Sequence, residues 1–208
     1  MKRGFTALVV LSVFCIAGFS GAAEKWNSVD IESQGGSTEI KGNKITIIGS
    51  GEDIGYEADE FRFVYQEFKG DVEIVARLDS LEQVYNMTKA GPMIRKSIDP
   101  GSAFIMLVAV PVHRIGILSR PEDSDEASIV KGGDFEFPVY LKLARKGENL
   151  TASVSHDGKE WEEVQDEVSE GEGVSVDLDE NVLVGLAVTS RAGEELAKAE
   201  FSEVKISK

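Results

Sequence analysis

The stretch Asp71-Val72-Glu73-Ile74-Val75-Ala76-Arg77-Leu78-Asp79 sets an apolar residue at every second position. In an extended chain successive side chains point to opposite faces, so Val72, Ile74, Ala76 and Leu78 line one side while Glu73, Val75 and Arg77 line the other. The first side belongs to a core, and the stretch reads as a strand with one buried face. Comparable runs occupy Lys44–Gly49, Phe61–Phe68, Pro92–Ser97, Ala103–Val110, Arg114–Ser119, Val139–Arg145, Leu150–Ser155, Val182–Ser190 and Leu196–Ile206. No long stretch repeats an apolar residue every three or four positions, so no helix is expected.

Turn chemistry separates the runs: Gly42-Asn43, Asp99-Pro100-Gly101, Gly132-Gly133, His156-Asp157-Gly158 and Ala192-Gly193. Many short strands with glycine-rich breaks predict an all-β sandwich of two antiparallel sheets. Ala103–Val110 and Val182–Val188 are apolar on nearly every residue, which places them centrally, covered on both faces. Glu122–Glu126 and Asp166–Glu180 read as solvated acidic loops, with Val174–Leu178 as a candidate edge strand.

Residues 1–23 read as a cleavable signal peptide. Lys2 and Arg3 give a positive start, Leu8–Gly18 an apolar stretch too short to span a bilayer, and Gly21-Ala22-Ala23 a small-residue cut site before Glu24. Cys15, the one cysteine, follows Phe14 inside that stretch rather than standing where a lipid-anchored cysteine would. The expected mature chain, 24–208, is thus one thiol-free domain, secreted or periplasmic, held by an ordinary core rather than by disulfides. Removing Lys2 and Arg3 with the leader takes the formal charge from −15 to −17. Such a surface argues against nucleic acid and, after cleavage, against anionic membranes as partners.

Several segments carry a family resemblance. Gly49 to Gln66, Gly70-Asp71, Ile74-Val75-Ala76-Arg77, Lys89-Ala90-Gly91-Pro92-Met93-Ile94-Arg95, Pro100-Gly101-Ser102-Ala103, Asp157-Gly158-Lys159-Glu160-Trp161 and Val184 to Ser190 occur in the order of landmarks in the DUF1349-type concanavalin A-like domains of exported bacterial proteins. The resemblance runs from Trp26 to Ile206 and implies a concanavalin A-like jelly-roll sandwich. Related jelly-roll lectins and glucanases make carbohydrate the implied ligand. The chain departs from that pattern at Tyr56 and Met87, where relatives usually carry tryptophan, and at Arg191, where histidine is common.

Catalytic chemistry finds little to stand on. Retaining glycoside hydrolysis needs two carboxylates about 5 Å apart, and the nearest imitations, Asp134-Phe135-Glu136 and Asp177-Leu178-Asp179, read as solvated edges. Ser155-His156-Asp157 has the residue types of a triad, but consecutive residues cannot converge on one proton path. Its Asp157-Gly158 reads as a hairpin turn between Leu150–Ser155 and Trp161–Val164. Two histidines, His113 and His156, and no mature thiol exclude an ordinary zinc site. Asp53, Glu57, Asp59 and Glu60 form the densest acidic group and the place a structural calcium would take, although no calcium-loop spacing is present. No catalytic and no metal residue is assigned.

Sugar binding uses exposed aromatics for stacking and polar side chains for hydroxyls. Tyr56, Tyr65, Tyr85 and Trp161 are the candidate aromatics, with Gln66, Asn86, Arg95 and Arg114 as polar partners. The predicted ligand site is Tyr56, Gln66, Tyr85, Arg95 and Arg114. Core packing is the competing role for each aromatic, and an ion pair with Asp59 the competing role for Arg95. The expected function is a secreted, non-catalytic module binding a polysaccharide, glycan or other extracellular polymer. A structural or protein-interaction domain is the alternative, and a glycoside hydrolase the third reading.

Overall fold

The computed structural model describes residues 25–112, 114–164 and 174–208. The leader, Cys15, His113 and the acidic stretch 165–173 lie outside the described residues. Sheet I has the order β1 (Asn27–Ile31), β4 (Phe61–Lys69), β13 (Asn181–Thr189), β6 (Lys89–Arg95), β7 (Phe104–Val110), β8 (Arg114–Arg120), β9 (Ser128–Asp134). Sheet II runs β12 (Glu162–Glu163), β11 (Asn149–Ser155), β10 (Val139–Lys146), β5 (Val72–Leu81), β14 (Ala197–Ser207), β3 (Lys44–Gly49), β2 (Ser37–Lys41). Every strand pairing is antiparallel, and no helix occurs among the described residues. The chain folds as an all-β jelly-roll sandwich of two antiparallel sheets.

Alternation decides what lies between the sheets. Val72, Ile74, Ala76 and Leu78 of β5 join Leu141 and Leu143 of β10 and Phe201 of β14, and meet Val64, Ile94, Ile105, Leu107, Val184 and Leu186 from sheet I. Burying each of these side chains other than Ala76 is worth about 1.5–3 kcal/mol. The two all-apolar runs lie inside sheet I as β7 and β13, and β7 is buried at every residue.

β7 needs cover on both faces because the outer face of sheet I is apolar as well. Phe61, Phe63, Met93, Phe104, Met106 and Leu118 form a second buried cluster with Ile54 from the β3–β4 connection, and Met87 and Ala127 pack against it. That connection is fixed at two points. Asp53 receives Lys89 and Arg191, the latter at 3.0 Å, and Asp59 receives Arg95 and Arg120.

The elements differ from the sequence reading at four places. β1 and β2 go unread because edge strands of sequence NSVDI and STEIK bury almost nothing, and Ile31 alone is buried in them. Gly132-Gly133 does not break the chain: it lies in β9, where an extra residue opposite Ile115 and Gly116 makes a bulge. Strand β6 begins at Lys89, three residues before Pro92, since Gly91 lets its backbone pass where a Cβ would meet the Leu107 carbonyl. Val174–Leu178 forms no strand and packs Val174, Val176 and Leu178 on the core as irregular chain.

Candidate functional site

The five residues expected to bind ligand do not converge. Tyr56 is 63% exposed and pairs its backbone with Ala127, whereas Tyr85 is 51% exposed in the β5–β6 connection, where its backbone is held by Thr88. Gln66 is buried on the core side of β4, Arg114 lies at the start of β8 beside Asp134 at 3.9 Å, and Arg95 has no exposed surface. Among the described residues no hydrogen bond, ion pair or ring contact joins any two of them.

Arg95 takes its competing role. Its guanidinium reaches Asp59 Oδ2 at 3.2 Å, donates to the Ser97 and Asp99 carbonyls at 2.6 Å each, and lies 5.1 Å from the Phe61 ring centroid. Arg120 holds the same carboxylate with two bonds of 2.7 Å. This buried Arg–Asp–Arg cluster ties the 50–60 segment to sheet I and leaves no room for a sugar. Two of the four acids grouped as a calcium candidate, Asp53 and Asp59, therefore face cations. Among the described residues no group of three metal-ligating side chains converges.

Tyr65 is half-buried and stacked on Phe63 at 5.0 Å, and Asn86 is exposed and accepts from Gln83. Trp161 is placed differently. It lies at the outer face of sheet II, on a groove of about 470 Å³ whose walls include Tyr140, Lys142, Glu73, Glu203 and Lys205. This is the non-core side of the alternation: Tyr140 pairs with Arg77 and Lys142 with Val75, while Leu141 between them enters the core.

Three local devices shape the groove. In the β11–β12 turn, Asp157 Oδ1 accepts the amides of Lys159 at 2.8 Å and Glu160 at 3.0 Å, an Asx turn that sets up Trp161. Gly158, with φ of +71°, rests on Tyr140 so closely that a Cβ would approach the ring at 3.1–3.3 Å. In β14, Ser202 pairs with Arg77 and Lys205 with Val75, so Glu203 and Val204 together oppose Ala76 in a bulge. Glu203 takes a φ of +52° there, and its carboxylate accepts the Tyr140 hydroxyl at 2.9 Å. A bulge that re-aims a side chain at the cost of an unfavourable φ is a common device at functional surfaces.

The electrostatics follow from these contacts. The Glu203 hydrogen bond pushes the Tyr140 phenol above its ordinary range, and the two amide bonds hold the Asp157 carboxyl below its own. Lys142 Nζ lies 4.1 Å over the Trp161 ring, a cation–π contact. The groove thus offers two half-buried rings, an apolar floor at Val75, and both charged donors and acceptors.

The other constellations stay apart from chemistry. Asp134 and Glu136 are exposed, and Asp177 and Asp179 share Lys96 at 3.4 and 3.9 Å. Ser155 Oγ bonds to Asp157 and receives the Gly158 amide, while His156 points away to lie 5.5 Å from the Phe135 ring. The hairpin reading of Asp157-Gly158 holds. Sequence reasoning listed Trp161 without placing it in the site and missed Tyr140, Lys142, Glu73, Glu203 and Lys205. The signal for most of them was the polar side of two alternating strands.

Compared with family models and with curated proteins, the sequence matches none. Among solved structures, a functionally unknown protein from Saccharomyces cerevisiae is similar at a TM-score of 0.62 and 19% identity, over 88% of this chain and 95% of that one. The GH43 protein BlXynB from Bacillus licheniformis gives 0.55 and 15%, over 78% of this chain but 32% of its own. The carbohydrate binding module CBM66 from Bacillus subtilis gives 0.51 and 13%, over 88% and 95%. At these identities the likeness is one of fold, and the fold is the concanavalin A-like β-sandwich.

Proposed function

We propose that the chain is an exported, non-catalytic module of the DUF1349 type that binds carbohydrate through the outer face of sheet II. The observation that carries this reading is the groove in which Tyr140 and Trp161 flank Lys142, with Glu73, Glu203 and Lys205 around them. Rings supply apolar contact to a sugar's CH faces, and flanking charged groups bond its hydroxyls. The volume suits a short stretch of polymer, and the groove rests on three paired strands, β10, β5 and β14. Likeness in fold to a carbohydrate binding module adds support of a weaker kind, since folds host many functions. The non-catalytic part draws on the acids themselves: Asp157 is committed to its turn and Glu203 to Tyr140.

Affinity electrophoresis of the mature chain through gels containing plant, algal and bacterial polysaccharides tests the reading. Retardation is expected with at least one polymer and is lost in Trp161→Ala. Unretarded migration across the panel would leave a structural or protein-interaction role as the better account.

A further inference from the structure

The groove differs in charge from the rest of the molecule. The chain carries −15 overall, yet the groove balances Lys142, Lys159 and Lys205 against Glu73, Asp157 and Glu203. What is free to meet a ligand is three ammoniums against one carboxylate, that of Glu73, which has no partner among the described residues. Asp157 already accepts two backbone amides and Glu203 the Tyr140 hydroxyl. Among the described residues none of the three lysines has a carboxylate oxygen within 4.0 Å, which is equally true of Lys25, Lys44, Lys146 and Lys208, so it is their place beside two rings that sets the three apart. With 37 acids available, a lysine left unpaired beside an aromatic ring has a partner to gain.

Placement adds to the charge. Lys142 and Lys205 both pair in register with Val75, so they stand on either side of an apolar floor, two strand spacings or about 10 Å apart. Lys142 is held over Trp161 and is only half-exposed, which limits the water it would have to shed.

We infer that the carbohydrate bound here is anionic, a polymer whose carboxylates or sulfates take charge-assisted hydrogen bonds from Lys142, Lys159 and Lys205 while its rings lie against Tyr140 and Trp161. This rests on the carbohydrate reading of the groove and narrows it. An ammonium also bonds a neutral hydroxyl, but only a carboxylate or sulfate adds the attraction of an opposite charge, which a neutral polymer cannot supply. The acidic remainder of the surface does not forbid such a ligand. The Debye length is about 8 Å at physiological ionic strength, so carboxylates farther away than that weigh little on the groove lysines.

Calorimetric titration of the mature chain compares each acidic polymer with its neutral counterpart. Polygalacturonate is set against its fully methyl-esterified form, and dextran sulfate against dextran. An acidic polymer is expected to bind about tenfold or more tightly than its counterpart, with the pair that responds identifying carboxylate or sulfate. In Lys142→Gln/Lys205→Gln that preference is expected to fall to about threefold or less, while Lys146→Gln, outside the groove, keeps it. Equal binding of acidic and neutral forms overturns the inference and leaves the carbohydrate reading standing. A preference unchanged in the double variant overturns the assignment to these lysines. Binding of no polymer at all removes both.

Discussion

Asp59 shows how one residue decides what a surface is for. Its carboxylate, fully buried, lies between the guanidiniums of Arg95 and Arg120, which also bond to carbonyls of the surrounding connections. Asp59→Asn removes one charge and strands two buried cations, so it should destabilise the protein by about 3–5 kcal/mol in urea unfolding. A loss below about 1 kcal/mol would mean the cluster is not the tie that holds the 50–60 segment down. From the sequence, Arg95 was legible as either a sugar ligand or a partner of Asp59. Nothing local distinguishes them, because the second cation, Arg120, arrives from a strand 61 residues away.

Two titrations report on the groove at the same scale. Glu203 raises the Tyr140 phenol, so the stability it contributes is present below pH about 10 and is lost as pH climbs through the raised value. In Glu203→Gln the Tyr140 ionisation, followed by phenolate absorbance, should fall back toward the ordinary range. Asp157 has the opposite sign. Its lowered folded value gives a contribution that is complete above 3.8 and disappears as pH drops through the folded value. The stability difference between wild type and Asp157→Ala should accordingly be flat at neutral pH and shrink in acid; a difference that grows in acid contradicts the turn geometry.

Among the elements, β14 carries the least regular geometry. Its bulge lets Glu203 reach Tyr140 and anchors through the Val204 amide on the Asn43 carbonyl at 3.1 Å. A left-handed conformation costs a non-glycine residue about 1–2 kcal/mol. Glu203→Gly should therefore keep or raise the melting temperature and yet weaken glycan binding. A melting temperature lowered by several degrees, with binding intact, would show the bulge to be structural only. Alternation revealed β5, β10 and most of their neighbours, because half-buried strands announce both faces. It did not reveal the bulge, although the alternation of Lys198-Ala199-Glu200-Phe201 breaks at Ser202-Glu203, two polar residues in a row where the register shifts. The edge strands β1 and β2 escaped for a different reason: with little to bury, they have no pattern to show.

At the scale of the molecule, the two outer faces of the sandwich have been put to different uses. The outer face of sheet I is covered by its own chain, and Phe61, Phe63, Phe104 and Met106 are packed beneath Ile54. The outer face of sheet II is open and bears half-buried rings and lysines that have no carboxylate partner among the described residues. The sandwich itself was legible along the chain, from alternation, turns and two doubly apolar strands. Which face would stay open was not, because it depends on where a long connection comes to rest. The predicted residues Tyr56 and Arg95 belong to the covered side, which explains why they do not meet Trp161.

The molecule has two tryptophans, Trp26, packed on the core, and Trp161 on the groove. In Trp26→Phe the emission reports on Trp161 alone, so a polysaccharide titration followed by fluorescence and calorimetry together locates the site. The account predicts that emission shifts in step with binding heat, and that both vanish in Trp26→Phe/Tyr140→Ala while the circular dichroism is unchanged. Binding heat with silent Trp161 emission, and undiminished affinity without Tyr140, would place the carbohydrate elsewhere on the molecule.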